Sequence, residues 1–484
     1  MSRANKGNGI PTRSFTDSAN GFKGWVAGIG NRRGIPTPAI SGGCAIIGAG
    51  YGSYDVWGVD LETGAVAWHR RTTDDGPTAV TISDGYAAYN TESCTLEILR
   101  VGTGERVWHR WLGDPLLAQP CIHQGRVYMA WPAQGNHVLG AFELSSGEPL
   151  WRAPLGGDII TAPVASGNVL AVSTYDGFVS IFDPGTGELR TRCEHRATSA
   201  PWLHGGEIYV AQRAEGTRPR STADEARGMR RSMQEREMQL RNQVRAPTME
   251  YMCKLSLKSG EMMHRSEGKP DEYHDKSWGE EEKKLYKNWD ESSGFSSPPP
   301  SAKLDQVSNL IGEDSVSRAW RHQGSRPVIH QGMLIDTSGD VLEAKELESM
   351  KMVWESKIGE TRMAGERALT PPAAANGRVL LGTWGGEVIQ LDSTTGKIRW
   401  RVNVGAPVHW QPVMSGGRVL AGLQNGTLVC FETGDPLDDG WAMWGGGPGH
   451  NGLDCQAGGD TEARDETSNP AEEENAVRGG KVSV

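Results

Sequence analysis

Apolar residues along this chain come in short runs closed by turns that carry glycine or asparagine, as in PAAANGRVLLGTWGGEVIQLDSTTGKIRW between Pro372 and Trp400. GRVLLGT and GEVIQLD alternate or run apolar over five to seven residues. Gly or Asn stands at each turn, where positive φ is required. The stretch predicts strand, turn, strand, turn, strand, turn, strand, one four-stranded antiparallel unit.

The unit recurs. A Thr-Gly or Ser-Gly turn followed four residues later by tryptophan appears at Gly64 and Trp68, Gly104 and Trp108, Gly147 and Trp151, and Gly396 and Trp400. Weaker copies keep the frame: Gly187 leads to Thr191, Gly260 to His264, Met350 takes the glycine position before Trp354, and Gly434 leads to Asp438. Successive glycine positions lie 40, 43, 40, 73, 90, 46 and 38 residues apart, so five intervals are near forty and two carry insertions. Self-similarity at such a period is the signature of a repeat architecture. A second marker gives the same frame: proline opens an apolar run at Pro38, Pro120, Pro163, Pro201, Pro327, Pro372 and Pro412, with Val80 in the second copy.

These patterns predict an all-β chain, an eight-bladed β-propeller of four-stranded antiparallel blades over residues 21–452. The repeat tryptophan is large enough to fill the gap between adjacent sheets, and radial stacking buries faces that no single sheet could bury. Residues 1–20 are polar and expected to be disordered. GFKGWVAGIG, residues 21–30, reads as a lone strand with its own Trp25 that completes the last blade, in competition with the segment around Trp441 and Trp444.

Two insertions interrupt the frame, at about 217–247 and 267–312. The first has eight arginines against four acids, with Met229, Met233, Leu240 and Val244 at helical spacing, and predicts a basic helix that packs on the surface or binds a partner. Arg230, Arg231, Arg236 and Arg241 are its candidate partner-binding residues. Residues 267–291 carry nine acids and five lysines, so the insertions have opposite charge. The tail 453–484 is acidic, with almost no apolar content, and is expected to be disordered.

Composition alters this picture little. The 64 glycines and 17 tryptophans are what repeated turns and inter-blade packing require. A net charge of −10 provides no overall basic footprint for nucleic acid. No apolar run is long enough to span a bilayer, and the amino terminus has no apolar core region, from which a cytoplasmic location is expected. The seven cysteines, Cys44, Cys94, Cys121, Cys193, Cys253, Cys430 and Cys455, include no CxxC and no adjacent pair. Reduced, mostly buried thiols are the expectation.

Candidate chemistry is sparse. His69 and His109 follow repeat tryptophans, His123 and His330 occupy matching turns, and such spacing scatters them over different blades instead of collecting a metal set. Asp435, Asp438 and Asp439 could hold calcium, but DPLDDG reads more readily as an Asp-rich turn. GxSxG, P-loop and HExxH motifs are absent.

D-x-x-T-G-x-x-x-W, best kept in VDLETGAVAW and LDSTTGKIRW, with P-x-x-x-x-G-R-V openers, resembles the pyrroloquinoline-quinone-like (PQQ-like) β-propeller repeat. WAMWGGGPGHNG is similar to a tryptophan-rich segment at the ends of such chains. The resemblance covers most of residues 34–452 and implies either an eight-bladed quinoprotein dehydrogenase or a non-enzymatic propeller such as the scaffold lipoprotein of outer-membrane β-barrel assembly. In the dehydrogenases the quinone sits in the axial channel beside calcium, typically against an adjacent-cysteine disulfide with a catalytic aspartate nearby. This chain lacks such a cysteine pair, so no cofactor and no enzyme activity are expected. The leading expectation is an interaction scaffold that binds an unidentified protein through its insertion-bearing face. The alternatives are a ligand- or quinone-binding propeller and an envelope assembly factor.

Overall fold

The computed structural model describes residues 10–447 apart from 214–248, 271–326, 359–368 and several stretches of one to four residues. Eight antiparallel sheets form the predicted all-β propeller, and no helix occurs among the described residues. Each inner strand begins one residue after the opener that marks it in sequence: Ala39–Ser41, Thr81–Ser83, Cys121–His123, Val164–Ser166, Trp202–His204, Val328–His330, Ala373–Ala375 and Val413–Ser415. A proline there removes a ladder donor where the strand has not yet begun. The second and third strands are almost wholly buried, as in Arg378–Gly382 and Glu387–Asp392 of blade seven, while the outer strand Ile398–Asn403 is half exposed.

Ring closure settles the contest between the termini. Lys23–Gly28 pairs antiparallel with Thr427–Glu432 and so becomes the outer strand of blade eight. Residues 12–16, expected to be disordered, instead form a strand, Thr12–Thr16, that pairs with Lys23–Ala27 and gives this sheet five strands. Phe15 and Phe22 supply the physical reason: both pack against Phe431, at centroid distances of 6.5 and 5.8 Å, burying apolar surface that a free amino terminus would leave in water. The basic insertion, with its predicted helix, and the acidic tail lie outside the described residues.

The repeat motif acts between blades. Trp354 in the outer strand of blade six lies over Gly396 of blade seven, where an added Cβ would stand 2.5 Å from the indole. Gly396 also has φ +67, so a larger residue would meet the indole and strain the backbone as well. The indole N–H completes the seam by donating to the Ser393 carbonyl at 2.9 Å. Trp68, Trp108 and Trp151 repeat this arrangement over Gly104, Gly147 and Gly187, donating to the carbonyls of Val101, Leu144 and Pro184. The eighth copy lacks a tryptophan of its own, and Trp25 of the closing strand takes its place, over Gly64 and bonded to the Leu61 carbonyl at 3.0 Å.

Three seams depart from the rule. At Gly260 the neighbours are Thr191 and Cys193, smaller than an indole. Met350 occupies the glycine position with φ 57, and the preceding blade offers His264 where the others offer tryptophan. Trp400 packs against Phe22 and Phe431, and a Cβ on Gly434 would meet nothing. Gly434 differs because the chain leaves blade eight there instead of turning into an outer strand.

Candidate functional site

In an antiparallel meander the second and the outer strand end on the same side of the sheet. Residues 214–248 join the second strand Glu207–Arg213 of blade five to its third, Met249–Ser256. Residues 271–326 lie between the outer strand Met262–Arg265 of the same blade and the inner strand of blade six, and 359–368 lie between blades six and seven. The three longest undescribed stretches within the ring thus leave from one face. Arg230, Arg231, Arg236 and Arg241 belong to the first of these connections and lie outside the described residues. At its base, Met249 and Glu250 pair with Pro270 and Lys269, so the roots of the two insertions adjoin.

The axial channel is filled by the chain itself. After blade eight the backbone passes along the opposite face, where Gly417 N–H donates to the Asp438 carbonyl, and then turns inward. Met414 N–H donates to the Trp441 carbonyl at 2.7 Å, and Ile40 N–H to that of Ala442 at 2.9 Å, fastening the segment to blades eight and one. The Trp441 ring lies parallel to Trp202 of blade five, with centroids 5.6 Å apart. Blade five stands across the ring from blade one, so this segment spans the channel. Met443 is fully buried and packs with Ala39, Ala79, Ala162 and Ala200 at the starts of inner strands.

Trp384 and Trp410 are partly buried and pack against the same cluster. Trp384 stacks on His409 at 4.2 Å. Burial holds His409 down to about 4, despite a hydrogen bond with Gln424. Thr37, Gln119 and Gln411 stand two residues ahead of inner strands, as Ala79, Ala162 and Ala200 do, and each has a buried side-chain oxygen with no partner among the described residues.

These residues do not fit the quinone that the repeat resemblance implies. Trp441 and Met443 occupy the channel at the level of the inner strands, and the six described cysteines are all free. Among the described residues no group of three or more His, Cys, Asp or Glu could hold a metal ion.

All the singled-out polar residues except His109 make contacts within or between blades. His69 lies over Trp57, with ring centroids 3.7 Å apart, and contacts Asp55 at 2.8 Å, whereas His109 is exposed. His123 bonds the Gly167 carbonyl of the next blade, and His330 accepts from Gly377 N–H of the next blade, so matching turns use opposite tautomers. Asp435 and Asp438 grip Arg378 of blade seven at 2.6 and 2.5 Å, and Asp439 accepts from Gly416 N–H. A guanidinium occupies the place that a calcium ion would need.

Sequence reasoning missed one cluster. Lys254 in blade five is buried between Glu207, at 2.9 Å, and Glu348 of blade six, at 3.3 Å, and Tyr209 donates to Glu207 at 2.6 Å. Burial works against the charged lysine, but both carboxylates raise its pKa above the ordinary value. A lysine inside the apolar run MCKLSL was the available signal.

A family model described as outer membrane protein assembly factor BamB matches residues 92–215 and 338–441. No curated protein matches the chain in sequence. In fold it is similar to the computationally designed Ika8 protein, with TM-score 0.57 and 12% identity over 83% of this chain and 97% of that one. It is similar to BamB from Moraxella catarrhalis, with TM-score 0.54 and 15% identity over 87% and 98%. Quinohemoprotein alcohol dehydrogenase from Comamonas testosteroni gives TM-score 0.53 and 13% identity over 86% and 78%. At these identities the structural likeness is one of fold.

Proposed function

We propose that this β-propeller, whose repeats match the family model described as outer membrane protein assembly factor BamB, is a non-enzymatic interaction scaffold of the PQQ-like repeat family. Its protein partner docks on the face from which the long connections leave. The observation that carries this reading is topological: residues 214–248 and 271–326 are rooted side by side on blade five, on the same face. Propellers commonly recognise partners through loops held on one face of a rigid ring. The self-filled channel supports the non-enzymatic part, because Trp441 and Met443 take the volume that a channel cofactor would use.

Replacing 214–248 and 271–326 by short Gly-Ser linkers, followed by pull-down from native cells, tests the proposal. Loss of the co-purifying partners is expected, and an unchanged set of partners would sink it. Mixing the full chain with pyrroloquinoline quinone and calcium, then gel filtration, tests the second part. No quinone absorbance should travel with the protein.

A second reading is an envelope assembly factor. It is favoured by the description of the matching family model and by the similarity to BamB from Moraxella catarrhalis. Among the described residues no helix is long and apolar enough to cross a membrane, which leaves both locations open. Fractionation that places the chain in the cytosol would remove this reading; recovery with the envelope would favour it over a cytosolic scaffold.

A further inference from the structure

Blade eight shows how an outer edge of this ring takes on another strand. Thr12–Thr16 lies antiparallel along Lys23–Ala27, from Thr12 opposite Ala27 to Thr16 opposite Lys23. An outer strand without such a cover presents a row of backbone groups ready to pair with an incoming chain.

The outer strand of blade two, Arg106–Trp111, combines that open edge with unanswered positive charge. Its sequence, RVWHRW, contains no acid, and Trp111 is 69% exposed. Leu112 N–H donates inward to the Cys94 carbonyl at 2.8 Å. Alternation along the strand therefore turns the backbone groups of Trp108 and Arg110 inward, and those of His109 and Trp111 outward. Arg110 is held by the Phe142 ring, 5.4 Å from its guanidinium carbon, and donates through Nη2 to the Gly147 carbonyl at 2.9 Å. Among the described residues no carboxylate pairs with Arg106, His109 or Arg110.

The outer strands of blades one, three, four and seven are answered by acids or blunted by proline. In blade one, His69 meets Asp55 at 2.8 Å and Arg70 meets Glu97 at 3.7 Å. In blade four Arg190 is paired with Asp183, and in blade seven Arg401 is paired with Glu387. Blade three carries Pro149 and Pro154, which cannot donate to a neighbour.

We propose that Arg106–Trp111 docks an extended acidic segment of a partner protein as an antiparallel fifth strand. The outward N–H and C=O groups of His109 and Trp111 pair with its backbone, and its carboxylates meet Arg110, while Arg106, beyond the bulge, lies on the other face. Trp111, on the opposite face from Arg110, covers an apolar side chain next to a carboxylate. This surface lies on blade two, away from the insertion roots on blade five, and its occupancy does not depend on the scaffold reading above. A nucleic acid would satisfy the arginines but leave the outward backbone groups unpaired, so a protein strand is the better match.

The test uses the full chain and a fluorescent peptide of alternating Glu and Val, read by anisotropy, with an alternating Lys and Val peptide and a single-stranded oligonucleotide as comparators. Binding of the acidic peptide is expected, with slowed amide exchange at His109 and Trp111. Arg110→Glu and His109→Pro should each weaken it at least tenfold, while Arg399→Glu on blade seven leaves it unchanged. His109→Pro removes one outward donor and none that faces the sheet interior; far-UV circular dichroism confirms that it folds, and Trp111→Ala gives an independent reading of the same edge. The proposal is overturned if the acidic peptide fails to bind the folded protein, or if His109→Pro binds it as tightly as the parent. It is overturned equally if the oligonucleotide binds in preference.

Discussion

Two parts of the same ring solve blade packing in different ways. From blade eight round to blade four, and again between blades six and seven, an indole closes each seam on the glycine of the next turn and donates to a carbonyl there. Around blade five the seams are built from Thr191 and Cys193 on one side and from Lys254 with Glu207 and Glu348 on the other. An aromatic seam gains most of its free energy from apolar burial and tolerates no change at the facing glycine. A charged seam balances desolvation against pairing and gives less net stability. The less stable seams flank the blade that carries both insertions. Sequence irregularity and weaker packing thus fall on the same blade.

The comparison can be broken most sharply at the seam between blades six and seven. Trp354→Ala should cost about 3–5 kcal/mol, and Gly396→Ala, which drives a Cβ into the same ring at positive φ, a comparable amount. The corresponding change beside blade five, His264→Ala, should cost under about 1 kcal/mol, since that strand is exposed along its length. Urea titration of the three variants checks this. Equal losses at the two seams would end the distinction.

Acid gives the next largest effect, at His409 just ahead of the inner strand of blade eight. His409 is held to about 4 against 6.5 for the free group. The unfolded chain therefore takes up a proton between these values that the folded chain refuses, and stability falls as pH drops through that window. The full difference is about 3 kcal/mol. His409→Gln should flatten the dependence of the urea midpoint between pH 6.5 and 4, and an unchanged slope would show that other groups set it.

Lys254→Met should cost about 1–3 kcal/mol, the range for leaving a buried partner unsatisfied. Glu348 is largely exposed and can turn to water, so the lower part of that range is expected. Adding Glu207→Gln should recover part of the loss, because a buried pair replaced on both sides often costs little. A double-mutant cycle on thermal midpoints measures it. The smallest effect is at Met350, whose φ of 57 suits glycine better. Met350→Gly should change stability by no more than about 1 kcal/mol in either direction, as relief of backbone strain is offset by lost burial, whereas Gly396→Met in the aromatic seam should prevent folding.

Much of the fold is legible in the sequence. Openers such as Pro120 and Pro372 mark the starts of inner strands to the residue, and the glycine spacing yields eight blades. The candidate site was less legible. Reading the two insertions as irregular required only the spacing, but placing both on one face required knowing that each blade is a meander. Trp441 was noticed in a tryptophan-rich segment without any sign that it would stack on Trp202, far away in sequence. Asp435 and Asp438 read as an Asp-rich turn, and nothing nearby named Arg378 as their partner.

The sequence by itself determined the period, the strand and turn pattern and the number of blades, because these depend on local features: positive φ at turns, alternation along strands, and a bulky residue at a constant offset. Tertiary structure alone decided which terminus closes the ring, that Trp25 supplies the indole of blade eight, and that the channel is filled by Trp441 and Met443. These are pairings between segments distant in the chain, chosen by which apolar surface remains uncovered once the blades have assembled. A local pattern carries no record of that choice.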